Sequence, residues 1–157
     1  MSHENVEIAR RAFAYEIYGV GDRADAEAIF DPHVVMNPIH VIDEEPSYGP
    51  NAMRDDFERW ASAFEELRVT VEEIIDAGDQ VVLVAHHQGR GRKSGVVVDA
   101  RYYEVYTLRE GKVSRIDEFD EGRSPRSRRP AGVGDVAGER RGRAVDVCGV
   151  QRTRSWG

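Results

Sequence analysis

The sequence has one cysteine, two lysines and no long hydrophobic run. The lone Cys148 excludes an intrachain disulfide and a cysteine-based metal cluster, and it fits a reducing compartment. No stretch approaches the roughly 18 apolar residues of a transmembrane helix, and no charged segment followed by an apolar one opens the chain. We therefore expect a cytoplasmic protein that is neither exported nor bound to a membrane.

The sequence also lacks the short motifs that hold phosphates or metals. The segment "GRGRKSG", residues 89–95, follows a predicted strand but opens no helix, as a phosphate-binding loop must. His33 and His40 flank the first predicted strand, and no carboxylates lie at metal-binding spacing from them. We therefore expect a protein that uses neither a metal nor an organic cofactor.

The charges are distributed unevenly along the 157 residues. Residues 122–157 hold nine arginines against three acidic residues, a net charge of +6, so the total of −7 leaves −13 for residues 1–121. A domain this acidic, over residues 1–121, repels phosphate backbones and anionic membranes. Nucleic-acid binding would have to come from the tail, would depend strongly on salt, and would be lost on truncation after Glu121. We expect no nucleic-acid partner.

Residues 122–157 also differ from the body in the kinds of residue they contain. They have seven glycines, Trp156 as their one aromatic residue, and no apolar periodicity. We expect one globular domain over residues 1–121, followed by a basic and largely disordered tail. The abrupt reversal of charge motivates a second hypothesis for the tail, which is a shift of the reading frame near Glu121.

The spacing of apolar residues predicts helices first and strands afterwards. Residues 4–18 and 51–65 have helical spacing, and Asp22 can cap a short helix that runs to Phe30. A strand-like segment, "HVVMNPI", separates the second and third helices. The apolar period changes to two at Leu67, and short turns then separate four predicted strands. These strands cover residues 67–76, 80–90, 96–108 and 112–119.

This order predicts an α+β fold, in which three N-terminal helices cover one face of an antiparallel sheet. The order, with the segments "IARRAF", "IFDPHVVMNP", "YGPNAMRDDFERWASAF" and "VYTLREGKV", resembles the SnoaL-like branch of the nuclear transport factor 2-like superfamily. The resemblance covers residues 3 to about 120. It implies a cone-shaped, strongly curved sheet in a cystatin-like α+β sandwich.

The resemblance further implies a pocket for a small, largely apolar organic ligand and a homodimer formed through the outer face of the sheet. It does not imply catalysis, because the superfamily includes isomerases, cyclases, hydrolases and non-enzymatic binding domains. Function therefore has to be argued from individual residues.

Glu104 is the first candidate for chemistry. Strand parity places Tyr102, Glu104 and Tyr106 on one face of their strand but does not say whether that face points inward. The resemblance implies that it does, since isomerases and cyclases of this superfamily carry an acidic pocket residue where "EVYTLREGK" puts Glu104. A carboxyl group between apolar walls has a raised pKa and can serve as a general acid or base. The alternative is an ordinary cross-strand ion pair on the exposed face.

His87 is the second candidate. The resemblance to SnoaL-like cyclases implies a pocket histidine on the strand beside the acid, and His87 matches that position. An imidazole next to Glu104 could hold a proton or orient a substrate carbonyl. The alternative is a surface histidine or one with a structural hydrogen bond. Tyr106, on the same face as Glu104, is expected to help arrange the ligand.

Asn37 lies before Pro38, where ketosteroid isomerases carry their aspartate base in a matching acid-proline pair. An amide cannot accept the proton, although it can hydrogen-bond a ligand oxygen. The tyrosine of the isomerase oxyanion site falls on Ala12, so steroid isomerase chemistry by that arrangement is not expected. The aspartate-arginine-aspartate set of limonene-epoxide-type hydrolases has no clear counterpart either.

Trp60 and Glu118 complete the candidate ligand-binding residues. Trp60 lies on the apolar stripe of the third helix, where it either closes the pocket mouth or packs in the core. Glu118 shares strand parity with Ile116 and could enter the pocket. We favour the other expectation for Glu118, which is solvated charge at the rim.

Two functions fit these residues. The favoured one is a cyclase- or isomerase-type acid-base enzyme that acts on a small apolar ring compound through Glu104, with His87, Asn37 and Tyr106 arranging it. The alternative is a non-enzymatic ligand-binding or dimerisation domain. An enclosed site with Glu104 and His87 within hydrogen-bond reach would favour the enzyme, and both residues at the surface would favour the alternative.

Overall fold

The computed structural model describes residues 2–38 and 45–121. The predicted tail and both hypotheses about it lie outside these residues. The described residues form three helices and six strands, in the order predicted except for one added short strand. They are α1 (Ser2–Tyr18), α2 (Arg23–Ile29), β1 (Phe30–Asn37), β2 (Ser47–Tyr48), α3 (Pro50–Ala61), β3 (Phe64–Asp76), β4 (Gln80–Gly91), β5 (Val97–Arg109) and β6 (Lys112–Asp120). None of these helices is both long and apolar enough to cross a membrane.

Helix α1 turns a stripe of small and apolar residues toward the sheet. Ala9, Ala12, Phe13 and Ile17 are all buried, and their spacing of three or four residues places them on one side of the helix. Glu16 falls on the same stripe, three residues after Phe13, and it is 1% exposed. The helix therefore carries a carboxyl group into the interior along with its apolar residues.

The ends of α2 and α3 show where local signals were sufficient and where they were not. Asp22 and Asp25 form the reciprocal capping box at the start of α2, with bonds of 3.1 and 2.9 Å, which confirms the predicted cap.

Helix α3 ends at Ala61, whereas the apolar spacing predicted that it would continue to residue 65. Phe64 instead begins β3, and its ring lies 4.8 Å from the ring of Trp60. Phe64 belongs to the strand but still packs on Trp60. The helical spacing of apolar residues in the sequence therefore continues past the end of α3.

The sheet is mixed, not wholly antiparallel as predicted. Its strand order is β2-β1-β6-β5-β4-β3, and the pairs from β3 to β6 are the predicted antiparallel hairpins. Strand β1 lies parallel to β6, and the short β2 adds an antiparallel partner at the edge. Periodicity along β1 specifies its faces but not its partner, so the parallel pairing could not be read from that segment. Register shifts in β3 and at Thr107/Leu108 accompany the curvature of this open sheet.

The core lies between the helices and the inner face of the sheet. Helix α1 contacts β3, β4 and β6, while α2 and α3 cover β1 and its neighbours. The predicted α+β sandwich with three helices on one face is confirmed. The inner face contributes Val71, Val81, Leu83, Ala85, Tyr106, Leu108 and Ile116 to the buried cluster.

Candidate functional site

The pairing of β5 with β6 places two glutamates opposite each other on the inner face. Glu104 is the register partner of Glu118, and the next inner pair along the strands is Tyr106 with Ile116. Glu104 is 1% exposed and Glu118 is 7% exposed. The exposed ion pair considered for Glu104 is therefore excluded, and the favoured expectation of solvated rim charge for Glu118 is wrong. The parity that Glu118 shares with Ile116 carries its side chain inward.

The Tyr106 hydroxyl group holds one oxygen of Glu104. It donates a hydrogen bond to Oε2 at 2.5 Å, and the whole tyrosine side chain is buried. Hydrogen bonds of a hydroxyl to a carboxylate are short and strong. The other oxygen, Oε1, accepts no hydrogen bond from any residue within 2–38 or 45–121. One oxygen of Glu104 is thus held in place, and the other is buried without a hydrogen-bond partner among these residues.

Glu16 brings a third carboxyl group to this region from α1. Neither of its oxygens has a hydrogen-bond partner in the described part of the chain. Leaving a buried polar group without a partner costs on the order of 1–3 kcal/mol, which is unusual without a functional reason. We refer to Glu16, Glu104 and Glu118 as the carboxyl cluster.

Sequence reasoning missed Glu16, although a signal was present. The residue lies four positions after Ala12 and three after Phe13, on the side of α1 that the apolar stripe defines. Glutamate is almost never fully buried unless it is paired. A glutamate on an apolar stripe was therefore a candidate for a functional role.

Burial is the largest cause of the raised pKa values in the cluster. It raises the pKa of Glu104 to about 8, assisted by the negative charge of Glu118 and opposed by the Tyr106 hydrogen bond. Burial also raises the pKa of Glu16 well above its usual range, followed by the charges of Glu104 and Glu118, and an interaction with the Tyr106 hydroxyl lowers it. The pKa of Tyr106 itself is raised by burial and by the charges of Glu104 and Glu16. At neutral pH, Glu104 is mainly a neutral acid with roughly a tenth in the ionised form.

Aromatic rings line the same inner face next to the carboxyl cluster. The ring of His87 lies 4.6 Å from that of Tyr102 and 5.6 Å from that of Trp60. Trp60 also contacts Phe64 at 4.8 Å and Phe57 at 5.6 Å between ring centroids. We refer to these five residues as the aromatic cluster. Trp60 is half-buried among them, where it forms part of an aromatic wall.

Tyr102 connects the two clusters. It shares a strand face with Glu104, two residues away, and its ring contacts His87 edge-on. Burial raises the pKa of Tyr102, and the charges of Glu118 and Asp120 raise it further. The aromatic wall therefore ends beside the buried carboxyl groups.

The predicted pair of His87 with Glu104 does not form. In the register of β4 with β5, Leu83 lies opposite Glu104, and Ala100 lies opposite His87. Four residues of strand separate the two positions, which is roughly 13 Å at the usual rise per residue. His87 is nevertheless 1% exposed, so the surface alternative for it is also excluded. Tyr102, whose ring contacts His87, lies between Ala100 and Glu104 on β5.

Asn37 lies on the opposite face of the sheet from Glu104. Its register partner on β6 is Asp117, whose side chain points away from the inner face that Glu118 occupies. The amide Nδ2 donates a hydrogen bond to Asp117 Oδ1 at 2.8 Å. The expectation that Asn37 arranges a ligand beside Glu104 is therefore wrong, because strand parity turns it outward.

The family of the chain follows from comparison with known proteins. The family model of the SnoaL-like domain matches residues 10–116. The chain belongs to the SnoaL-like domain family. No curated protein is similar enough to match it.

Solved structures agree with this SnoaL-like assignment at the level of the fold. A proposed SnoaL-like polyketide cyclase from Jannaschia sp. CCS1 has a TM-score of 0.62 and 23% identity, over 77% of this chain and 88% of that one. A nuclear transport factor 2-like protein from Burkholderia thailandensis E264 has a TM-score of 0.62 and 20% identity, over 73% and 88%. A protein of ketosteroid isomerase-like fold from Catenulispora acidiphila, solved in complex with trimethylamine, has a TM-score of 0.56 and 15% identity, over 72% and 83%. Identities this low show the fold alone.

The chemistry available to this SnoaL-like chain is proton transfer beside an aromatic wall. Across residues 2–38 and 45–121, no group of three or more His, Cys, Asp or Glu side chains is arranged to hold a metal ion. A surface pocket of about 540 Å³ lies at Arg68, Gln88 and Arg90, away from Glu104. It is open to solvent and is not lined by the carboxyl cluster, whose buried acids are the stronger candidate site.

Proposed function

We propose that this SnoaL-like protein binds a small, largely apolar ring compound between α1 and the inner face of the sheet, and acts on it by acid-base catalysis through Glu104. The observation that carries the proposal is the environment of this carboxyl group. It is fully buried, one oxygen is held by Tyr106, the other has no hydrogen-bond partner among the described residues, and its pKa is about 8. A general acid or base works best when its pKa is near the working pH.

The proposed reaction is of the cyclase or isomerase type and begins next to a carbonyl group. Ionised Glu104 takes a proton from the carbon beside the carbonyl, so that the C–H bond breaks, an O–H bond forms, and the electron pair becomes an enolate. Returning the proton to a different carbon completes an isomerisation. Attack of the enolate carbon on a second carbonyl closes a ring instead: a C–C bond forms, the C=O π bond breaks, and the resulting alkoxide takes the proton back from Glu104. Tyr106 orients the carboxyl group in both cases.

The aromatic cluster supports an apolar ring as the ligand. Tyr102 offers a flat surface two residues from Glu104, and the rings of His87 and Trp60 continue this wall away from it. Such side chains contribute large contact areas to binding sites. The solved trimethylamine complex of the Catenulispora acidiphila protein is a case of a similar fold with a small organic molecule bound. A carbonyl on an otherwise apolar ring would place its polar end at the carboxyl cluster.

Proton exchange tests this proposal before the natural substrate is known. A panel of cyclic ketones and β-diketones is first screened for binding by thermal shift, and the binders are then incubated with enzyme in D₂O. Proton NMR should show accelerated loss of the signal from the protons next to the carbonyl. Glu104→Gln should slow this exchange by about 100-fold or more. Glu7→Gln, an exposed position on α1, is the matched control and should leave the rate unchanged.

Exchange at the wild-type rate in folded Glu104→Gln would show that Glu104 is not the acid or base. Circular dichroism and the thermal midpoint establish whether the variant is folded.

A non-enzymatic ligand-binding domain is the second candidate function. It is favoured by the register that keeps His87 away from Glu104, because the expected histidine-acid pair is then lacking. This function predicts thermal stabilisation by the same ring compounds with no proton exchange in the wild-type protein. The exchange assay therefore separates the two candidates.

The resemblance to homodimeric relatives leads us to propose a homodimer formed through the outer face of the sheet. This face carries the half-buried Val82 and Tyr103 next to an ion pair of Arg101 with Glu72 at 2.7 Å. Sedimentation equilibrium should give twice the chain mass of 17.7 kDa, and Tyr103→Glu should shift the equilibrium toward monomer. A monomer at micromolar concentration would contradict this assembly.

A further inference from the structure

Glu16 is buried in the carboxyl cluster but has no role in the proposed function. It lies on α1, 88 residues before Glu104, and the packing of that helix on the sheet turns it toward the interior. It is 1% exposed, and neither carboxyl oxygen is hydrogen-bonded within the described residues. Glu104 and Glu118 both act on it electrostatically, so the three groups occupy one region.

We propose that Glu16 and Glu104 form a proton-exchanging pair bridged by the hydroxyl group of Tyr106. This proposal deepens the acid-base function of Glu104 and rests on it. It adds a second proton-carrying group that was not foreseen from the sequence.

The bridge follows from the hydrogen-bonding capacity of a phenol. A hydroxyl group has one hydrogen to donate and lone pairs that accept. The hydrogen of Tyr106 goes to Glu104 Oε2, so its lone pairs can accept a hydrogen bond from protonated Glu16. An interaction with the Tyr106 hydroxyl lowers the pKa of Glu16, so the two groups lie close enough to act on each other.

The proton transfer balances without any further reactant. The O–H bond of Glu16 breaks as a new O–H bond forms on Tyr106, and the original O–H bond of Tyr106 breaks as one forms on Glu104. Each bonding electron pair stays on the oxygen that loses its proton. Glu16 becomes the carboxylate, Glu104 becomes the acid, and Tyr106 is neutral before and after.

Burial and neighbouring charges favour the protonated form of both members. Burial and the charge of Glu118 on β6 raise the pKa of Glu104, and burial with the charges of Glu104 and Glu118 raises the pKa of Glu16. The pair therefore holds a proton at a pH where ordinary glutamates have lost theirs. Strand β4 presents one further titratable group, His87, on the same inner face. Helix α3 contributes the Arg54 guanidinium, which lies over the ring of Tyr15 at 4.7 Å.

Sharing a proton gives the two carboxyl groups complementary roles. One member can accept a proton from a ligand while the other carries one to donate. The pair suits carbonyl compounds that lose a proton at one atom and regain one at another, as enolisation and isomerisation require.

Carbon NMR titration of the full chain tests the pair directly. Wild type, Glu16→Gln, Glu104→Gln and the exposed control Glu7→Gln are labelled at the side-chain carboxyl carbon of glutamate and titrated from pH 5 to pH 10. We expect one resonance with a midpoint near 8 that is missing from Glu104→Gln, and a second with a midpoint above the ordinary glutamate value that is missing from Glu16→Gln. In Glu104→Gln the midpoint of Glu16 should fall, because the charge that raises it has been removed. Glu16→Asp serves for assignment if Glu16→Gln does not fold.

The outcomes separate this inference from the proposed function. A Glu16 midpoint near the ordinary value of about 4.3, or one that Glu104→Gln leaves unchanged, would overturn the pair while leaving Glu104 as the acid or base. An ordinary midpoint for Glu104 itself would overturn the proposed function as well. Ketone proton exchange should also slow in Glu16→Gln if the pair operates, with the alkaline limb of its pH profile altered.

Discussion

The buried carboxyl group of Glu104 should make the stability of the protein fall as the pH rises. Its pKa is about 8 in the folded protein, against an ordinary value of 4.5. The folded state therefore keeps a proton that the unfolded state has already released. Stability from this group is fully present below pH 4.5 and is lost progressively as the pH rises to about 8.

The size of the effect follows from the separation of the two pKa values. Each pH unit between them changes the free energy of unfolding by about 1.4 kcal/mol, so the full effect is roughly 5 kcal/mol. Glu104→Gln removes the titration but keeps a carbonyl oxygen that can accept the Tyr106 hydrogen bond. Between pH 5 and pH 8, wild type should therefore lose about 3 to 4 kcal/mol more stability than this variant.

Urea unfolding at one-unit pH steps, followed by circular dichroism, measures the difference. The exposed control Glu7→Gln should give a curve parallel to that of wild type. If the curves of wild type and Glu104→Gln stayed parallel from pH 5 to pH 8, Glu104 would not have a raised pKa, and the acid-base argument would fail with it.

Three further substitutions test other parts of the structure. Tyr106→Phe removes the hydrogen bond that lowers the pKa of Glu104, so the NMR midpoint of Glu104 should rise, and a fall would contradict the contact. Asn37→Ala breaks a hydrogen bond on the outer face, so it should cost about 1 kcal/mol in urea unfolding without moving that midpoint; a moved midpoint would place Asn37 near the site. Gly111→Ala forces a side chain into a backbone with φ of +76° and should also cost about 1 kcal/mol, and an unchanged stability would show that the turn relaxes.

The resemblance and strand parity together predicted correctly that Glu104 faces inward. Parity grouped Glu104 with Tyr106, and the resemblance indicated the inner face, where the structure places both. The same parity carried Glu118 inward with Ile116. The expectation of rim charge for Glu118 relied on the acidic residues beside it in sequence, which alternate between the two faces of the strand.

Helical spacing also contained the information about Glu16, since the apolar stripe of α1 includes its position. What the spacing could not show is which residues lie across from it. The partners of Glu16 are on β5 and β6, close to 90 and 100 residues later in the chain, and packing brings them together. The separation of His87 from Glu104 has a similar origin, because the register of β4 with β5 sets which residues of the two strands are adjacent.

The sequence by itself determined the elements and their faces, because the period of apolar residues and the capping signals act over a few neighbouring residues. It thereby determined that α1 carries Glu16 on its buried side and that β5 carries Glu104 beside Tyr106. The tertiary structure alone decided that β1 runs parallel to β6, that Asn37 faces Asp117 across that pairing, and that three carboxyl groups share one interior region. These features depend on contacts between residues far apart in the chain, whose free energy is set by the packing of the whole sheet against the helices.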